Sequence, residues 1–154
     1  MRKRNRIPET LREQILAEYG YQCAYCKAPD AALSVPLTID HILPTAKGGT
    51  DDIENLCPAC WLCNLNKLDQ VEARDPETGE MVPLYNPRLQ HWDEHFEWSP
   101  DGASIIGKTP TGRATVETLQ LNSERQKNLR RMWMQLRLHP MLRTRSPANQ
   151  GGSR

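Results

Sequence analysis

Residues 23–26 read Cys-Ala-Tyr-Cys, residues 38–44 read Thr-Ile-Asp-His-Ile-Leu-Pro, and residues 55–64 read Asn-Leu-Cys-Pro-Ala-Cys-Trp-Leu-Cys-Asn. Two cysteine pairs thus enclose an Asp-His dipeptide and an asparagine, and a second asparagine follows the last cysteine. A Cys-x-x-Cys turn lets two thiolates converge on one ion, and a second pair completes a tetrahedron. The stretch therefore predicts a structural zinc site. Spacing leaves the second pair open, because Cys57, Cys60 and Cys63 follow one another at intervals of three: Cys57/Cys60 and Cys60/Cys63 both fit. A thioredoxin-like redox role would need one pair in a βαβ setting, which this stretch does not offer.

The polar residues inside the cysteine frame suit phosphodiester hydrolysis. That reaction needs an attacking water, a base to deprotonate it, and positive charge on the phosphate and the leaving oxygen. His41 is the natural base, since imidazole titrates near neutral pH. Asp40 is a hard oxygen ligand of the kind Mg²⁺ or Mn²⁺ takes. Neighbours on a strand point to opposite faces, so the Asp-His pair can direct a metal ligand and a base separately. Asn64 offers a carbonyl oxygen as second ligand, and Asn55 can hydrogen-bond backbone near His41. Singly, each has a plainer role: an Asp-His pair in a turn, an Asn as a helix cap. The combination inside two cysteine pairs is what points to chemistry.

Cys23-x-x-Cys26, Asp40-His41-Ile42-x-Pro44, Gly48-Gly49, Asp52, Asn55-Leu56, Cys60-x-x-Cys63-Asn64 and Lys67 together resemble the HNH endonucleases, the ββα-metal or His-Me finger nucleases. The resemblance covers roughly residues 20–70. It implies an α+β fold with a ββα-metal core. It also implies the Cys60/Cys63 register, because the family places its last pair five and eight residues after the middle asparagine. Cys23, Cys26, Cys60 and Cys63 would then hold structural Zn²⁺, leaving Cys57 as a small buried apolar residue. It further implies His41 as general base, Asn55 steadying the loop and the histidine, and one Mg²⁺ or Mn²⁺ held by Asp40 and Asn64. Lys67 would contact phosphate, and the products would carry 5′-phosphate and 3′-hydroxyl. The third motif position, commonly His, is Asn64 here, an H-N-N variant with a weaker ligand. The resulting reading is a metal-dependent endonuclease acting on DNA. Its rival is a non-catalytic zinc module that binds nucleic acid or protein and has no need of Asp40, His41 and Asn64 together. A double-strand cut by one such site requires a dimer or two sequential nicks.

Outward from this core, Leu11, Ile15 and Tyr19 recur four apart and predict a helix over 9–19 that stops at Gly20. Residues 36–43 predict a strand ended by Pro44. Lys47–Thr50 reads as a loop, 51–56 as a turn or short extended piece, and 58–69 as a helix presenting Cys60, Cys63, Asn64 and Lys67 on one face. Turns at 75–79 and 99–102 predict two hairpins. Residues 113–138 predict a helix, with Asn122-Ser123 as a possible break. The chain divides into a disordered basic start over 1–8, a nuclease domain over 9–70, an extension of hairpins and basic helix over 71–140, and a disordered tail over 141–154. The later block is also similar to an extension found in bacterial HNH proteins.

Composition agrees with this division. The chain has 154 residues, 38% of them hydrophobic with a single Phe, so its apolar core is modest and a zinc staple is expected. Net charge is only +1, but the bases cluster at the ends: Arg2, Lys3, Arg4 and Arg6 at the start, and Arg125, Lys127, Arg130, Arg131, Arg137, Arg143, Arg145 and Arg154 after the last acid. Basic ends suit a polyanion, and Arg125, Lys127, Arg130 and Arg131 are the candidates to track a nucleic-acid backbone. His91 and His95 lie four apart but lack a third ligand, which favours ordinary packing. Trp92, Trp98 and Trp133 read as the extension's own core rather than base-stacking platforms. No apolar run approaches the ~20 residues of a membrane span and no signal-peptide core follows the basic start. The expected setting is soluble and cytoplasmic, of bacterial or phage type.

Overall fold

The computed structural model describes residues 7–140; the basic start up to Arg6 and the tail from Met141 lie outside the described residues. Helix α1, Glu9–Glu18, begins where the Pro8 carbonyl accepts the Arg12 N–H at 2.9 Å. It buries Ile15 and Leu16. Tyr19, just past its end, is buried too, and its hydroxyl donates to the Pro87 carbonyl at 3.2 Å. The first cysteine pair follows in a knuckle closed by a bridge between Gln22 and Pro29.

Strands β1, Thr38–His41, and β2, Leu56–Ala59, form an antiparallel pair that sets Asp40 opposite Cys57 and His41 opposite Leu56. β1 is shorter than the 36–43 run predicted. At its start the Leu37 N–H is taken by the Asp30 carboxylate at 2.9 Å. At its end the Asn55 side chain, not a strand partner, takes the Leu43 backbone. Helix α2, Trp61–Lys67, is also shorter than the predicted 58–69. Residues 56–59 are spent on β2, and Cys60 caps the helix, its Sγ accepting the Cys63 N–H at 3.5 Å. Leu68, at φ 53°, ends it.

Hairpin β3, Glu72–Arg74, with β4, Met81–Pro83, and hairpin β5, Phe96–Trp98, with β6, Ile105–Gly107, fall where turns were predicted. The four-residue helix α3, Trp92–His95, leads into β5. The long helix predicted over 113–138 is two helices. Helix α4, Pro110–Leu119, starts three residues early because Thr109 caps Gly112 and proline suits the first turn. Gln120 at φ 51° ends it, and Ser123 caps the Gln126 N–H to start α5, Glu124–Gln135.

One apolar cluster runs through both halves of the chain. Leu16, Tyr19, Tyr25 and Leu37 from the first 40 residues share it with Tyr85, Trp92, Phe96 and Trp133. Trp92 donates its indole N–H to the Tyr25 carbonyl at 2.9 Å. Arg88 donates to the Leu56 carbonyl and to Glu18, each at 2.8 Å. Trp92, Trp98 and Trp133 thus pack in or against the core, as composition suggested, but the core is shared with the cysteine-rich half. Among the described residues, no helix is long and apolar enough to cross a membrane.

Candidate active site and zinc centre

The first knuckle and the start of α2 bring Cys23, Cys26, Cys60 and Cys63 together, all buried, with their sulfurs within 4.8 Å of one another. Cys26 and Cys60 sulfurs are 3.6 Å apart. A tetrahedral zinc at about 2.3 Å from each sulfur separates the sulfurs by about 3.8 Å, so the donor set fits the ion in number, type and spacing. Burial raises the Cys23 thiol, but hydrogen bonds from Cys26, Cys60 and Cys63 outweigh it and hold Cys23 well below the usual thiol range. Cys57 stands apart. It lies on β2, fully buried, where its Sγ donates to the Tyr25 hydroxyl at 3.7 Å and burial holds it firmly protonated. The Cys60/Cys63 register is thereby selected by where β2 ends.

The strand period places Thr38 and Asp40 on the β1 face toward α2. Asn64 donates to Thr38 Oγ1 at 3.0 Å, and Lys67, three residues on, reaches Asp40 Oδ2 at 3.1 Å. A two-residue strand step is thus matched by nearly one helical turn. Asp40 also accepts the Tyr25 hydroxyl at 2.8 Å. Burial pushes the Asp40 carboxyl up, while Lys67 and Tyr25 pull it back toward the charged form. Tyr25, sitting between Cys23 and Cys26 in sequence, therefore connects the first knuckle to β1. Sequence reading placed it only as packing around the knuckle.

His41 is the last residue of β1, with its side chain 26% exposed. Its Nε2 lies 2.7 Å from Asp51 Oδ1. A carboxylate only accepts, so Nε2 carries the proton, and in the neutral ring Nδ1 is the free acceptor. Asp51 was passed over in the sequence as part of a turn; its position ten residues after a candidate base gave no periodic signal. Asn55 clamps the intervening loop. Its Oδ1 accepts the Leu43 N–H at 2.8 Å, and its Nδ2 donates to Leu43 O at 3.0 Å and Thr50 O at 2.8 Å. The Asn55 carbonyl takes the Ile42 N–H at 2.8 Å. Gly49 is required by this closure, because a Cβ there would fall 1.7 Å from the Leu43 carbonyl oxygen.

A β-β-α unit with four clustered cysteines and an Asp-His pair at the strand end is what residues 23–70 build. Residues 23–70 match the family model described as HNH endonuclease. No curated protein and no solved structure matches the chain. In the HNH segment β1, β2 and α2 supply the ββα unit, and the α+β class expected from the sequence stands.

Two of the expected nucleic-acid contacts lie buried. Lys67 is 2% exposed, and its ammonium is turned to Asp40 and to the carbonyls of His41 and Ile42, not to an external phosphate. Arg130 is buried, donating to the carbonyls of Ala103 and Leu121 and to Asn122; it organises the extension instead of facing a polyanion. Arg125 and Arg131 are exposed on α5, and Lys127 is paired with Glu124 at 2.8 Å. His91 and His95 gather no ligand set: His95 bonds Thr109 at 2.6 Å, and the one cluster of His, Cys, Asp or Glu among the described residues able to hold a metal is the four cysteines.

Proposed function

We propose that the protein is a metal-dependent endonuclease that hydrolyses phosphodiester bonds in DNA, with His41 as its general base. The observation that carries this reading is the half-exposed imidazole at the end of β1, bonded through Nε2 to Asp51 and adjacent to Asp40, inside a segment that matches a nuclease family. His41 Nδ1 takes the proton of the attacking water. Asp51 holds the ring in that tautomer and stabilises the imidazolium that forms. Asn55 keeps the 43–55 loop closed, so the strand end and the histidine stay fixed.

Asp40 and Asn64 are the residues that would hold Mg²⁺ or Mn²⁺. Their oxygens suit a hard cation, and Asn64, donating through Nδ2 to Thr38, keeps Oδ1 as its ligand atom. Such an ion, when bound, supplies positive charge for the phosphate and the leaving oxygen. The zinc centre serves the fold, and through Tyr25 it sets the Asp40 carboxylate. Arg125, Lys127 and Arg131 on α5 are the residues left to meet the nucleic-acid backbone.

The test is plasmid nicking with Mg²⁺ or Mn²⁺, with EDTA, and with His41→Ala. Nicking that needs the metal, stops with EDTA and is lost in His41→Ala is the expected result. Wild-type activity in His41→Ala sinks the mechanism, and absence of cleavage across metals and nucleic acids favours a binding module.

A further inference from the structure

Lys67 holds its ammonium in a ring of oxygens contributed by the end of β1 and by Ile42, the residue after it. Nζ lies 3.1 Å from Asp40 Oδ2 and 3.5 Å from Oδ1, 3.1 Å from the His41 carbonyl and 3.2 Å from the Ile42 carbonyl. A carboxylate with two backbone carbonyls is an all-oxygen set of the kind that hard cations take. The site is dry: the Lys67 and Asp40 side chains are 2% and 5% exposed. Asp40 and Lys67 form a one-to-one ion pair there.

A divalent ion on Asp40 with Lys67 in place would set two cations about 4 Å apart in a buried site against a single carboxylate, an arrangement that repels strongly at low local dielectric. The ammonium therefore has to leave as the ion arrives, and it has somewhere to go. Lys67 also lines a cavity of about 350 Å³ between Ile42 and Leu43 on the strand side and Tyr85, Asn86 and Leu89 on the extension.

We infer that Lys67 and the catalytic divalent ion compete for Asp40, so that Lys67 sets the metal affinity of the site. This rests on the metal-dependent reading proposed above. The extension takes part, because its 85–89 segment forms the far wall of the cavity that receives the displaced ammonium.

Mn²⁺ binding to the zinc-loaded full chain, followed by the electron paramagnetic resonance of free Mn²⁺, tests the inference in wild type, Lys67→Met and Asp40→Asn. Lys67→Met is expected to bind Mn²⁺ roughly tenfold or more tightly than wild type, within the usual range of coupling between sites, and Asp40→Asn to lose binding. Equal or weaker binding by Lys67→Met overturns the competition and leaves the metal reading standing. No binding by either wild type or Lys67→Met overturns both. A second measurement needs no variant. In wild type labelled with ¹⁵N-lysine, the Lys67 ammonium resonance should shift during Mg²⁺ addition with the midpoint of metal binding. A Lys67 signal unchanged through saturation overturns the inference.

Discussion

At the scale of single residues, the site depends on partners that its motif does not contain. His41 is oriented by Asp51, whose carboxylate accepts from Nε2 at 2.7 Å. Because this pair is partly exposed, its contribution lies in orientation more than in stability. Asp51→Ala is expected to lower the nicking rate about tenfold or more while zinc content and melting temperature stay at wild-type values. Asp51→Asn, which keeps an acceptor oxygen, should fall between the two. A wild-type rate in Asp51→Ala would remove Asp51 from the mechanism. Asp40 is likewise defined by Tyr25 and Lys67. Neither partner was legible in the sequence as such, since a tyrosine between two cysteines and a lysine three residues after an asparagine carry no mark of the carboxylate they meet. The Cys-x-x-Cys spacing, by contrast, is itself the geometry of a chelating turn, and it was legible directly.

Among the elements, both hairpins were found, α3 was not foreseen, and the long helix divides where Asn122-Ser123 suggested a break. Both hairpins could be placed because turn chemistry is local: Asp75 accepts the Glu77 N–H at 3.1 Å and the Thr78 hydroxyl at 2.9 Å, closing its own turn. The α4–α5 break was only suggested by Asn122-Ser123, because helical periodicity carries across a short kink and the caps decide the boundary. The Asp75 turn is also tied to α4 by Arg113, which donates to both carboxylate oxygens, at 2.9 and 2.8 Å. That double contact holds the Asp75 carboxyl well below the usual carboxylate range. A depressed folded-state value means stability that is fully present above the unfolded carboxylate range near pH 4 and is lost as pH falls through the folded value. Thermal melts of wild type and Asp75→Asn from pH 7 to 3 should therefore show wild type more stable at neutral pH, with the difference shrinking below about pH 4. Zinc loss in acid acts on both chains, so the difference isolates Asp75. A constant difference across the range would assign the effect of Asp75 to something other than its charge.

For the whole molecule, zinc on the four clustered cysteines is expected to stand in for a large core. Chelating the metal is expected to unfold the protein, because binding energy at a structural site is folding energy. Cys63→Ser should fail to retain zinc and melt at much lower temperature, whereas Cys57→Ser should keep one equivalent of zinc by mass spectrometry under native conditions. Zinc retained by Cys63→Ser and lost by Cys57→Ser would reverse the register. The extension belongs to the same apolar core as the HNH segment, through Tyr85, Trp92, Phe96 and Trp133, so these effects should reach the whole chain together. The sequence by itself determined the Cys-x-x-Cys spacings, the Asp-His dipeptide and the turns, because each of these is written over a few residues, while the Cys60/Cys63 register and the ββα core came from the resemblance to the HNH endonucleases. Only the tertiary structure decided that Lys67 and Arg130 are buried instead of facing phosphate, that Asp51 holds His41, and that the two halves share one core. Those are meetings between residues 8 to 70 positions apart, and which side chain fills a given space is settled by packing and charge balance after the chain has folded, not by local pattern.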